Sequence, residues 1–101
     1  MTIYEHRAIA TIAAGSANTT SLNIRGGLLR QLLITALTSG ATTFRADLTD
    51  KQQVIRGRWG YHTGEINDTS IKLAMAGSYR ISITNASATD TFRVTMAIQE
   101  D

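Results

Sequence analysis

The stretch Gly77-Ser-Tyr-Arg-Ile-Ser-Ile-Thr-Asn-Ala-Ser-Ala-Thr-Asp-Thr-Phe-Arg-Val-Thr-Met-Ala-Ile98 decides the fold class. Tyr79, Ile81 and Ile83 alternate with Ser78, Arg80, Ser82 and Thr84, and beyond a small polar turn Phe92, Val94, Met96 and Ile98 alternate with Arg93, Thr95 and Ala97. Strand side chains switch faces at every residue, so this pattern predicts two strands, each with one apolar and one wet face. They are expected to form a closing hairpin. A two-stranded hairpin is marginal in water, so the rest of the chain must supply strands to cover the apolar face.

Working outward, the same period recurs. Ile3 to Ala13 alternates weakly, as a terminal strand of small residues would. After the turn-like Ala14-Gly15-Ser16-Ala17-Asn18, residues Thr20, Leu22 and Ile24 alternate with Thr19, Ser21 and Asn23, and Arg25-Gly26-Gly27 is expected to end that strand. Leu28 to Leu37 fits either one stripe of a helix or a strand buried on both faces. The strand agrees better with its neighbours and is the reading preferred here. Thr42 to Leu48 points Phe44, Ala46 and Leu48 inward, and a turn follows at Thr49-Asp50-Lys51-Gln52. Val54 to Trp59 is a strand interrupted by Gly57, where a bulge is expected. Gly60 to Thr69 reads as the longest loop, Ser70 to Met75 as a strand, and Ala76-Gly77 as a turn. About eight short strands with regular turn signals predict an all-β, single-domain antiparallel β-sandwich, of jelly-roll or Ig-like Greek-key type. Tyr79 either fills core or ties a tyrosine corner through its hydroxyl.

The totals narrow the chemistry. A chain of 101 residues is the size of one domain. With no cysteine, it can form neither a disulfide framework nor a thiolate metal site. Eight Arg and two Lys stand against eight acids, a net charge of +2, and the cations are spread singly rather than in the run a nucleic-acid footprint shows. No direct nucleic-acid contact is expected. The N-terminus has no long apolar core, and the apolar run at Leu28 to Leu37 is too short to span a bilayer, so neither a secretion signal nor a membrane partner is expected.

No catalytic or metal signature emerges. His6 and His62 lie far apart without paired ligand spacing, and Asp47 and Asp50, three apart on a strand, point to opposite faces. There is no nucleophile elbow and no phosphate loop. The chain reads as a non-enzyme without cofactor or metal. The one concentrated feature is Arg56-Gly57-Arg58-Trp59-Gly60-Tyr61-His62, which holds the single Trp. Trp, Tyr and Arg dominate interface hot spots. Core filling leads for Trp59, and interface contact leads for Arg56, Arg58 and Tyr61. An aromatic platform for a sugar or an unstacked base, using Trp59, Tyr61 and His62, competes with both. Residues Met1 to Ile12, with Tyr4, His6 and Arg7, offer either an arm that adds a strand to a neighbouring subunit or an ordinary edge strand.

A Leu- and Ile-rich strand, a Ser-Gly turn, Thr42-Thr-Phe-Arg-Ala-Asp-Leu-Thr-Asp50, a glycine-bearing loop and Ala76-Gly-Ser-Tyr-Arg-Ile-Ser-Ile-Thr-Asn-Ala-Ser87 follow in order. This order resembles small virion proteins of tailed bacteriophages, above all the head decoration, or capsid-stabilising, type. The resemblance covers about Leu28 to Ile98, and Ala76 stands where such a corner usually has proline. It implies a module that binds the major capsid protein on the capsid exterior and clamps neighbouring capsomers, as a homo-oligomer made in the host cytoplasm and carried on the virion. The alternative is a carbohydrate- or receptor-binding module of a tail or fibre, with a glycan as partner.

Overall fold

The computed structural model describes residues 2–12 and 18–100. Of the turn-like run 14–18, residues 14–17 lie outside them. Seven strands follow in chain order: β1 (Thr2–Ile12), β2 (Asn18–Ala36), β3 (Thr43–Asp50), β4 (Ile55–Thr63), β5 (Glu65–Asp68), β6 (Leu73–Thr84) and β7 (Asp90–Glu100). All ladders are antiparallel, in the order β1-β7-β2-β6-β3-β4, with β5 also paired to β2. The all-β reading is what the structure shows.

Strand β2 organises the molecule. Its N-terminal part pairs with β6 (Asn18↔Ile83 to Leu29↔Leu73), and its C-terminal part pairs with β7 (Leu28↔Gln99 to Ala36↔Phe92) and with β5 (Leu32↔Asp68 to Thr35↔Glu65). Arg25-Gly26-Gly27 does not end the strand. It forms a bulge, with the register shifting between Ile24 and Gly27. A bulge bends its strand and sharpens the twist, so one chain segment serves both halves of a curled sheet. Counted as two pairing segments, β2 brings the seven strands to the expected eight. Gly27 has φ +153°, and a Cβ there would lie 2.5 Å from the Gln99 carbonyl oxygen, which explains the glycine. Across the bulge, the Tyr79 hydroxyl accepts a 3.0 Å hydrogen bond from the Ala76 N–H, and Tyr79 is itself buried. Core filling and hydroxyl tie hold together.

Several sequence expectations change. The closing hairpin is not one: β6 and β7 do not pair, because β2 lies between them. Alternation fixed the faces of both strands, but partner choice depends on residues far away in sequence. Residues 60–69 are mostly strand, since β4 runs on to Thr63 and β5 begins after Gly64. Ala76-Gly77 is a bend inside β6, not a turn. Residues 28–36 are strand but alternate: Leu29, Leu32, Ile34 and Ala36 are buried, while Leu28, Gln31, Leu33 and Thr35 are half-buried. The expected bulge at Gly57 is present as a register shift opposite Leu48 and Thr49. Thr2–Ile12 ends the sheet order and pairs along β7 without a break in register.

The core is built from alternate residues of β2, β3, β6 and β7, with Ile66 of β5. Phe44 of β3 and Phe92 of β7 share no ladder, yet their rings meet edge-on at 4.6 Å and 61°. The two halves of the curled sheet therefore face one another across a dry interior, the arrangement that buries both apolar faces.

Candidate functional site

One end of the molecule is stitched together by Asp90. Its carboxylate accepts bonds from the Thr38, Ser39 and Thr91 N–H groups and from the Thr42 hydroxyl, at 2.7–3.2 Å. Burial alone would raise its pKa, but these donors outweigh that and hold it below the usual carboxylate value. Gly64, at φ +79° with a Cβ position 2.6 Å from the Gly40 carbonyl oxygen, donates to the Thr42 carbonyl and accepts from Ala36. Every oxygen of Asp90 is engaged, so this end is scaffold rather than site.

Strand β4 contrasts with it. Seven of its nine residues are exposed, and only Gly57 and Trp59 are half-buried. It pairs on one side with β3 and ends the sheet order on the other. Of the residues singled out by sequence, Arg56, Arg58, Trp59, Tyr61 and His62 all lie here. Arg58 donates from Nε to Asp47 Oδ1 at 3.0 Å, and Arg56 donates to Asp50 Oδ2 at 2.9 Å. These exposed pairs hold the guanidinium groups in place more than they stabilise the fold. Asp50 also accepts from the Gln52 and Val54 N–H groups, and its pKa is lowered first by the Val54 bond.

Trp59 is committed internally. Its indole folds back along the strand over Gly57, where a Cβ would lie 2.7 Å from the ring. The indole N–H donates to Asp68 Oδ2 at 2.9 Å, which lowers the Asp68 pKa. Trp59 is half-buried, packed against the core, and its indole bond ties β4 to the end of β5. Tyr61 is 60% exposed, with the Arg45 guanidinium 5.7 Å from its ring centre. His62 is exposed, its Nδ1 2.8 Å from the Gly60 carbonyl oxygen. Of the three residues of the platform reading, Tyr61 and His62 are exposed and Trp59 is half-buried. Val54 and Ile55, which sequence reading passed over, are exposed at 46% and 48% and extend the apolar part of this edge.

The N-terminal candidates lie elsewhere, on β1 at the opposite edge of the sheet order. Tyr4 is half-buried against the core, its hydroxyl 3.5 Å from the Gly26 carbonyl at the β2 bulge. The side chains of His6 and Arg7 lie outside the described residues. Among the described residues no three His, Asp or Glu side chains cluster to hold a metal. The chain matches no protein-family model and no curated protein. Function therefore has to be argued from geometry.

Proposed function

We propose that the chain is a non-catalytic docking module that binds a neighbouring protein through β4 and the β3–β4 turn. Following the resemblance to head decoration proteins, we take that neighbour to be the major capsid protein on the exterior of a tailed-phage head, where the module stabilises contacts between capsomers. The carrying observation is that β4 is an outer strand exposing Ile55 and Tyr61, with Val54 exposed in the turn before it, beside two ion-paired guanidinium groups. An apolar centre flanked by Arg is a common composition for a protein contact.

The contact is made by side chains rather than by an added strand. Two register shifts break the β3–β4 ladder, at Phe44/Ala46 and at Leu48/Thr49, and bulges of this kind spoil an edge as a template for pairing. The edge at β1 differs: its eleven residues run in unbroken register with β7, and Ile3 is 61% exposed. That regularity supports self-association through β1. Weak contacts of either kind become firm when a symmetric lattice repeats them.

The test is co-sedimentation with empty capsids. The Arg58→Ala/Tyr61→Ala double variant should lose particle binding while its melting temperature stays within a few degrees of the parent, because both side chains are exposed. Binding equal to that of the parent chain rejects the β4 reading. A monomer at all concentrations in analytical ultracentrifugation rejects self-association.

A further inference from the structure

Beyond this docking edge, the outer face of the sheet carries a concave polar site. A cleft of about 310 Å³ lies between the β3–β4 turn and strands β2 and β6, lined by Ser21, Thr49, Asp50, Lys51, Gln53, Ser78, Tyr79 and Arg80. We infer that it binds a small oxyanion, a carboxylate or phosphate group carried on a hydroxylated molecule.

The register builds the site. Ser21 of β2 and Thr49 of β3 both pair directly with Arg80 of β6, so the three form one row across three strands. Directly opposed residues share a face and lie about 5 Å apart at Cβ. Arg80 thus has a hydroxyl-bearing side chain on each flank, and Ser78 follows two residues along on the same face. The turn that carries Lys51 and Gln53 is locked. Gln53 takes φ +65° and donates to the Asp50 carbonyl at 2.9 Å, while the Asp50 carboxylate accepts from the Gln52 and Val54 N–H groups. A rigid turn set against three paired strands is a preorganised wall.

Charge chooses the ligand. The two acids on this side, Asp47 and Asp50, are each engaged by a guanidinium, from Arg58 and Arg56. Arg80 and Lys51 have no ion pair or side-chain hydrogen bond among the described residues, and they face the same cleft. An anion between them relieves their mutual repulsion and takes charge-assisted hydrogen bonds, with Arg80 able to engage two oxygens at once. The serine and threonine hydroxyls and the Gln53 amide can serve neighbouring hydroxyl groups as donors or acceptors. The volume is at the small end of pockets that take organic ligands. It fits one anionic group with a short polar frame.

The experiment is an amide chemical-shift titration of the intact chain at constant ionic strength, with glucuronate, inorganic phosphate and glucose as separate probes. Saturable shifts at Ser21, Thr49, Ser78 and Arg80 with either anion, and not with glucose, are expected. Arg80→Gln should weaken that binding about tenfold or more, the effect of removing a charge-assisted contact. Arg93→Gln, a change on β7, should leave it unaltered. Tighter binding of glucuronate than of phosphate assigns a sugar acid, and the reverse order a free or esterified phosphate. Three results overturn the proposal: no saturation with either anion, equal response to glucose, or an unchanged response in Arg80→Gln. Arg80 is exposed, and the spectrum of the variant reports its fold directly.

Discussion

At the residue scale, Asp90 shows how a single buried carboxylate can organise a whole end of a β-domain. It is 2% exposed yet receives four hydrogen bonds, so its ionised form is favoured in the folded chain. The sign follows from linkage. A folded pKa below the unfolded value of about 4 means that the unfolded chain binds more protons as pH falls. The stabilisation is then fully present above the unfolded pKa and is lost as pH drops through the folded one. Asp50 and Asp68 are shifted the same way, by the Val54 N–H and the Trp59 indole. Urea melts between about pH 2 and pH 6 should show stability rising across the acid window. Asp90→Asn should flatten that rise without abolishing it, and should lower stability at pH 7, because an amide NH2 then faces backbone donors. A profile parallel to the parent would show that Asp90 does not contribute. Sequence gave no warning of this role. Asp90 looked like one more polar turn residue, because its partners at 38–42 are about fifty positions away.

At the element scale, the edge strands differ in what holds them. β1 contributes an eleven-residue ladder to β7 and places Tyr4 against the core. Removal of residues 1–7 deletes over half of that ladder and uncovers the outer side of β7. The melting temperature should fall by several degrees, since a loss of about 1 kcal/mol moves a domain of this size by about 4–8 °C. A thermal scan by circular dichroism measures it. An unchanged melting temperature would mean that β1 is dispensable to the fold. β4 is held differently, through Trp59 on Gly57 and Asp68 and through guanidinium pairs to β3. Its poor alternation of burial has a legible cause. A strand that ends a sheet and carries two bulges presents neither face steadily to the core. The glycines at 57 and 60 hinted at irregularity, but not that β5 would follow β4 with only Gly64, at φ +79°, between them.

At the scale of the whole molecule, the fold is one sheet bent until its halves meet, and Phe44 against Phe92 is the contact that closes it. Phe44→Ala should cost about 3–5 kcal/mol, because both rings are fully buried and a residual cavity remains. Chemical denaturation measures the loss, and a cost under about 1 kcal/mol would show that the halves can repack without the pair. The proposed functions divide across this architecture: protein docking at the β4 edge, oxyanion binding on the outer face of β2, β6 and β3.

The sequence alone determined that the chain is all-β, which residues of the strands at 43–50, 73–84 and 90–100 point inward, and where Gly57 breaks the pattern. Those are local consequences of a two-residue period and of glycine geometry. The tertiary structure decided what local chemistry cannot encode. It inserted β2 between the two strands of the stretch from Gly77 to Ile98, kept β2 continuous through Gly26 and Gly27, and laid the Trp59 indole over Gly57 with its N–H on Asp68. Ladder partners are chosen by which apolar faces can be buried together, and that depends on contacts between segments far apart in the chain.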